Sequence, residues 1–128
     1  MTDQTADLRR GVDALSFALV RHPGEPPRLD ATQAKPPADK GGYQAMIAAS
    51  QLSKMMLLVG ASGERPAAQA AADLQRQILT ADAGRHELIK RYREALLAAL
   101  AEFLGYAGDE RIAELLRWYE QDRKTPDG

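Results

Sequence analysis

The chain has 128 residues, of which 45% are hydrophobic and 27% charged, and its formal net charge is −1. This composition is typical of one folded domain and excludes a mainly disordered chain. The sequence has no cysteine, which excludes a disulfide scaffold, a zinc site with thiolate ligands and a cysteine nucleophile. Because only 5% of the residues are aromatic, the core must consist mainly of aliphatic side chains, and packed helices are favoured over a β-sandwich.

The N-terminal residues and the hydropathy indicate a protein of the cytoplasm. Residues 1–4 are polar apart from the initial methionine and do not resemble a signal peptide. No apolar run approaches the roughly 18 to 20 residues that cross a bilayer. We therefore expect a cytoplasmic protein without a membrane segment, in agreement with the lack of cysteine.

The first predicted helix covers residues 5–20. Its apolar residues recur at the spacing of one helical face. These are Leu8, Val12, Leu15 and Leu19.

Residues 22–42 contain five of the seven prolines and three glycines. Proline removes amide donors and biases its neighbours toward extended conformations, so a regular helix cannot continue there. A segment of this length is predicted to be a long loop or tether after the first helix. A disordered connector without function is the alternative.

Two further helices are predicted in the centre of the chain. Residues 43–59 carry a broad apolar surface, and glycines at 60 and 63 end this helix. Pro66 suits the first turn of the next helix, which has its own apolar stripe. The stripe consists of Ala67, Ala71, Leu74 and Ile78.

Two more helices are predicted in the last third of the chain. Asp82 is a suitable N-cap for a helix with a long stripe from Leu88 to Phe103, and Asp109 for a final helix that reaches Tyr119. Residues 122–128 form a polar tail. The predicted fold is therefore all-α: a single domain over residues 1–128, built as a bundle of about five helices.

No pattern in the chain predicts an active site. The segment 55–63, MMLLVGASG, superficially resembles a dinucleotide-binding loop, but its third glycine is missing and it is better explained as a helix end and turn. Ser62 lacks the surroundings of a nucleophile elbow, and His22 and His86 are isolated, which is unfavourable for a metal site. We expect no catalytic residue, no metal, no cofactor and no small-molecule substrate.

A group of basic residues is the first candidate binding surface. The net charge argues against strong non-specific DNA binding but allows a local basic face. The candidates for contact with a nucleic-acid backbone are Arg9, Arg10, Lys90, Arg91 and Arg93. Because Glu87 and Glu94 alternate with them, a solvated, ion-paired helix face is the alternative interpretation.

An apolar helical groove that binds another protein is the second candidate. Large, adaptable or aromatic side chains are typical anchors in protein interfaces. The residues of this type are Met55, Met56, Tyr106 and Trp118.

Two segments resemble a known family. Residues 47–59, IAASQLSKMMLLV, and residues 92–100, YREALLAAL, resemble helices of the small all-helical subunit of type III CRISPR–Cas effector complexes, particularly the Cmr type. This chain has Ser50-Gln51-Leu52 where Asn-Gly-Leu is typical, and Gln44-Ala45 where Leu-Pro is expected. The resemblance implies a non-catalytic subunit that stacks with copies of itself and with neighbouring subunits. Its basic face would help to hold the guide–target duplex.

The sequence thus predicts a non-enzymatic helical subunit of a larger assembly. Self-association or protein partners are expected, and a ribonucleoprotein subunit that contacts the nucleic-acid backbone is the leading hypothesis. The alternative is an adaptor, chaperone or regulator that binds protein through an apolar groove.

Overall fold

The computed structural model describes residues 4–61 and 66–104, with side chains described for residues 6–56 and 66–104. This part of the chain contains helices and a two-stranded sheet, so the prediction of an all-α fold is wrong. It has four helices rather than about five; the predicted final helix and the tail at 122–128 lie outside the described residues. The elements are α1 (Gln4–Asp13), β1 (Leu15–Val20), β2 (Arg28–Gln33), α2 (Lys40–Ala61), α3 (Pro66–Thr80) and α4 (Arg85–Leu104).

The predicted first helix ends early and becomes a strand. Its last helical turn closes where the Ala14 amide donates to the Arg10 carbonyl at 3.0 Å, and β1 follows. Leu15 and Phe17 are buried while Ala18 is exposed, so the burial repeats every second residue as a strand requires. Leu15 and Leu19 fit both the helical and the strand spacing. The phenylalanine between them and the valine that follows favour the strand.

The proline-rich segment 22–42 is not one long loop. It contains β2, which pairs antiparallel with β1 so that Leu15 lies opposite Gln33 and Val20 opposite Arg28. The strands are joined through a turn in which the Glu25 amide donates to the His22 carbonyl at 3.1 Å. Pro23 and Gly24 occupy its central positions, and the φ of Gly24 is 81°, which is the pattern of a type II turn. The prolines therefore flank β2 instead of preventing it.

The start of α2 is fixed by a side-chain cap. The Gly42 amide donates to Asp39 Oδ2 at 2.8 Å, so Asp39 is the N-cap of a helix that begins at Lys40. The last three residues of the predicted loop, 40–42, are therefore helical. The Arg10 guanidinium, and then the Gly42 amide, hold the pKa of Asp39 below its usual value. The cap thereby connects the end of α1 to the beginning of α2.

The helices pack through small residues. α3 begins at Pro66 as predicted, and the four residues of its predicted stripe are buried. α4 begins at Arg85, after Gly84 with a φ of 77°, rather than directly after Asp82. Alanines supply much of the buried surface of both helices, which lets their backbones approach closely. They are Ala67, Ala68, Ala71, Ala72, Ala95, Ala98, Ala99 and Ala101.

The hairpin completes the core beside these helices. The Phe17 ring meets the Tyr92 ring of α4 edge to face, with centroids 5.1 Å apart and an angle of 89°. Within the described ranges, no helix combines the length and apolar character needed to span a bilayer.

Candidate binding groove

A groove of about 600 Å³ lies between β2 and the helices α2 and α3. Residues 27–32 line one side, and Ser53, Lys54, Gln75 and Leu79 line the other. We call this the β2 groove. Its volume falls within the range of roughly 300 to 1,000 Å³ typical of ligand-binding sites.

The β2 groove follows the edge of the strand. Successive side chains of a strand point to opposite faces, so a cavity on one face would be lined by every second residue. Here six consecutive residues, 27–32, line the cavity. The groove therefore faces the backbone edge of β2, the side that β1 does not cover.

The backbone groups on this edge can be assigned from the register. The Ala34 amide donates to the Ala14 carbonyl at 2.9 Å, and hydrogen-bonded positions in an antiparallel pair alternate. Residues 28, 30 and 32 therefore bond to β1, whereas Leu29, Ala31 and Gln33 direct their amides and carbonyls outward. β2 has one strand neighbour, and these outward groups have no hydrogen-bond partner among the described residues.

The floor of the groove contains polar side chains that are almost completely buried. Ser53 and Gln75 are 2% and 4% exposed, and they are the buried polar residues of the part that the structure describes. Ser53 Oγ lies 2.8 Å from the Tyr92 hydroxyl, and Gln75 Nε2 donates at 3.4 Å to both that hydroxyl and the Ser53 carbonyl. Burial raises the pKa of Tyr92 to about 12, against the opposing effect of the bonds from Ser53 and Gln75. The phenol is therefore protonated at neutral pH.

The orientation of the Gln75 amide leaves one acceptor open. The Ser53 carbonyl can only accept, so the Gln75 nitrogen must face it and the Gln75 oxygen must point elsewhere. Gln75 Oε1 receives no hydrogen bond within the described residues. Since Gln75 lines the groove, this acceptor is available to a molecule bound there.

The rim of the groove is charged. Arg28 Nε lies 3.3 Å from Asp30 Oδ1 on the strand, with both side chains partly exposed. Lys54 on α2 is exposed and has no ion-pair partner in the described part of the chain. The rim therefore presents one unbalanced positive charge to a bound molecule.

The structure places Arg9 and Arg93 where α1 meets α4, and Lys90 and Arg91 lie on the same stretch of α4 as Arg93. We call Arg9, Lys90, Arg91 and Arg93 the α1–α4 basic surface. Arg9 makes two bonds to Glu94, at 2.9 and 3.2 Å. Lys90 Nζ lies 3.6 Å from Glu87. Arg91 is exposed and makes no ion pair with a described residue.

Arg93 and Arg10 have structural contacts as well. Arg93 Nη1 donates to the Val12 carbonyl near the end of α1 at 3.1 Å, and its guanidinium lies 5.0 Å from the centre of the Phe17 ring. Arg10 lies on another side of α1, where it binds Asp7 and, at 2.9 Å, Asp39. Four of the five predicted phosphate contacts, all but Arg91, thus already pair with groups of their own chain.

The predicted protein-binding residues do not form one described surface. Met55 is half exposed, whereas Met56 is completely buried in the core. Tyr106 and Trp118 lie outside the described residues. Of the two described residues of this set, Met55 is the one that a partner could reach.

Ser53 and Gln75 were not among the predicted site residues. Both occupy positions on the buried faces of their helices, Ser53 beside Leu52 and Met56, and Gln75 beside Leu74 and Ile78. A polar residue at such a position was the available signal. It could not show that the two residues meet, because they come from different helices.

The described part of the chain has no metal site of carboxylate, histidine or cysteine ligands, and the chain matches none of the proteins with which it was compared. Among the residues the structure describes, no three His, Cys, Asp or Glu side chains are grouped to hold a metal ion. Comparisons with protein families, curated proteins and solved structures found no match for this chain.

Proposed function

We propose that this protein is a non-catalytic subunit that binds a partner protein by adding an extended segment of that partner to the free edge of β2. The observation that carries the proposal is the β2 groove, lined by the consecutive residues 27–32, five of which belong to a strand with one paired edge. The outward amides and carbonyls of Leu29, Ala31 and Gln33 supply the hydrogen bonds that an added strand needs. Main-chain bonds of this kind give affinity, and pockets for alternate side chains give specificity.

The chemistry of the groove favours binding over catalysis. Of its two hydroxyl side chains, Ser53 is 2% exposed and bonded to Tyr92, and Thr32 donates to the Ser16 carbonyl at 3.4 Å. A phenol with a pKa of about 12 does not remove a proton from serine at neutral pH, because a general base works best near the operating pH. The remaining groove side chains provide hydrogen bonds and charge, which suits recognition.

A proline at Ala31 tests the strand edge. Proline removes the outward amide donor, and Ala31→Val keeps it while adding a larger side chain. We expect peptides selected from a phage-displayed library of random twelve-residue sequences to bind Ala31→Pro at least about tenfold more weakly than wild type, since a lost hydrogen bond and a steric contact together cost more than about 1.4 kcal/mol. Ala31→Val should retain binding to within about threefold.

A second readout needs no protein variant. Methylation of single amide nitrogens along a selected peptide should weaken binding at every second position only, because an added strand bonds through alternate residues. Uniform sensitivity, equal binding to wild type and Ala31→Pro, or no selected peptide would overturn the proposal. A dimer of the protein that disappears in Ala31→Pro by sedimentation analysis would show that a second copy occupies the edge instead.

A ribonucleoprotein subunit that contacts nucleic-acid backbone is the second candidate. Arg91 on the α1–α4 basic surface is exposed and unpaired among the described residues, and Lys90 beside it is largely exposed. The resemblance to the Cmr-type small subunit supports this candidate, and its two segments lie within α2 and α4. Its basic face would follow phosphates, each contact adding salt-dependent affinity.

The RNA experiment should leave in place the arginines that contact other elements of the fold. Lys90 pairs with Glu87 of its own helix at 3.6 Å, and both side chains are largely exposed. Reversal of Arg9, Arg10 or Arg93 would break contacts within the chain, so we choose Lys90→Glu with Arg91→Glu, and Arg21→Glu with Lys35→Glu as the matched control. A labelled thirty-nucleotide single-stranded RNA should lose at least tenfold in affinity with the first pair, and the slope of log K against log salt should fall by about 1.4 for two lost phosphate contacts. Equal loss in the control pair, or no RNA binding by wild type, would remove this candidate.

A further inference from the structure

We propose that the floor of the β2 groove is a subsite for a carboxamide side chain, so that the bound segment carries asparagine or glutamine at the residue facing α2 and α3. This inference rests on the proposed strand addition and adds to it the chemical class that the groove selects. It depends on Gln75 and Lys54, which line the same groove.

Gln75 defines the donor that the ligand must bring. Its side chain is 4% exposed, and both of its described bonds, at 3.4 Å, use the nitrogen. A segment that covers the groove would remove the oxygen from water. A buried acceptor without a partner is unfavourable, so the ligand must place an N–H or O–H group against Gln75 Oε1.

Lys54 defines the acceptor that the ligand must bring. Lys54 follows Ser53 on α2, and the Ser53 carbonyl accepts a hydrogen bond from Gln75. Lys54 on the rim is therefore next in the chain to a residue that contacts the Gln75 side chain on the floor. The lysine ammonium offers donors only. A group that serves both residues must therefore donate on one side and accept on the other.

A carboxamide meets this requirement, whereas a carboxylate, an ammonium or an aliphatic side chain does not. Its nitrogen can donate to Gln75 and its oxygen can accept from Lys54. A carboxylate would bind Lys54 but would direct a second acceptor at the Gln75 oxygen. An ammonium would be repelled by Lys54, and an aliphatic side chain would leave both groups without partners.

The strand geometry delivers such a side chain to the right place. Leu29 is buried and Ala31 partly buried on the face of β2 that packs toward the helices. Alternate side chains of an added strand point to this same face. One residue of the segment can therefore enter the floor while its neighbours remain at the rim.

The test uses synthetic peptides that differ at one position. A peptide selected on the wild-type protein is remade with Asn, Gln, Asp, Lys or Leu at the position facing the helices. We expect Asn or Gln to bind at least about tenfold more tightly than Leu or Lys to the full chain. In Gln75→Met this preference should shrink to within about twofold, whereas Gln77→Met, on the exposed side of α3, should keep it.

A modified peptide tests the subsite on the wild-type protein, so the result does not depend on whether Gln75→Met folds. Dimethylation of the peptide's carboxamide nitrogen removes its donors and keeps its oxygen, and should reduce affinity for wild type by at least about tenfold. If Ala31→Pro abolishes binding but the preference is the same in Gln75→Met, or dimethylation has no effect, the subsite is refuted and strand addition stands. If Ala31→Pro has no effect on binding, strand addition fails and the subsite fails with it.

Discussion

The β2 groove and the α1–α4 basic surface differ in what they leave unpaired. On the basic surface, Arg9 is bonded to Glu94 and Arg93 to the Val12 carbonyl. In the groove, the outward backbone groups of β2 and the Gln75 oxygen have no hydrogen-bond partner among the described residues. Most cations of the basic surface thus already have a partner within the chain, whereas the polar groups of the groove are open to another molecule.

This difference shows that charge alone is a weak guide to a binding surface. Surface ion pairs within one chain compete with phosphate for the same cations, and each such pair contributes little to stability. Backbone groups at a strand edge have no such competitor inside the fold. The proposed site is therefore the one with more unsatisfied hydrogen-bonding capacity, although it has fewer charges.

The largest expected change in stability concerns the packing of α1 against α2. A Cβ atom at Gly11 would lie 2.5 Å from the Met46 amide nitrogen and 2.6 Å from the Ala45 carbonyl carbon. Because these are backbone atoms, α1 would have to move away from α2. We expect Gly11→Ala to reduce the free energy of unfolding by about 3 kcal/mol in urea titrations.

Gly41→Ala is the matched control for this substitution. The nearest atoms to an added Cβ there belong to the Asp7 side chain, with Oδ2 at 2.5 Å, and a side chain can rotate away. We expect a change within about 1 kcal/mol. Equal losses for the two substitutions would contradict the backbone contact that holds α1 against α2.

The second effect concerns the floor of the groove at high pH. The pKa of Tyr92 is raised in the folded state from 10.0 to about 12. The protonated phenol therefore contributes to the stability of the fold below pH 10, and this contribution is lost as the pH rises through 12. Between pH 9 and pH 11.5 the free energy of unfolding of the wild-type protein should fall by about 2 kcal/mol more than that of Tyr92→Phe, since each pKa unit corresponds to 1.36 kcal/mol. Urea titrations of both proteins at pH 9 and 11.5 measure this difference. An equal decrease in the free energy of unfolding for both proteins would mean that water reaches the phenol through the groove.

The smallest effect concerns the basic surface. Arg9 and Glu94 are 47% and 45% exposed in their side chains, so water and salt screen the pair. A double-mutant cycle with Arg9→Gln and Glu94→Gln should give a coupling of about 0.5 kcal/mol at low salt and close to zero at 1 M salt. A coupling above about 2 kcal/mol would indicate a buried pair and would make the basic surface a structural element rather than a binding surface.

The helices were predictable from the sequence because their apolar residues recur over many turns. Pro66 predicted the start of α3, and the stripe through Leu74 and Ile78 predicted its buried face. The helix ends were less predictable, since Gly41 and Gly42 suggest a loop yet belong to the first turn of α2. The cap at Asp39 explains this start, and its partner Arg10 is distant in the sequence.

The hairpin was not predicted because the two segments that form its strands are short. The segment 15–20 has only six residues, and two of its leucines also fit the helical spacing. The partner strand, RLDATQ, has a single large apolar residue, Leu29. Pro23-Gly24 between the two segments was the signal of a turn, but the surrounding prolines suggested an irregular loop. The β2 groove depends on this hairpin and on a contact between α2 and α3, so no local pattern could reveal it.

The free edge of β2 also bears on the solubility of the protein. An unpaired strand can recruit an identical strand from another molecule and so begin aggregation. Three features of β2 limit this process: it has only six residues, it lies beside two helices, and it carries the charged pair Arg28 and Asp30. Neutralisation of this pair should make the protein more prone to aggregate even where its fold and thermal stability are unchanged.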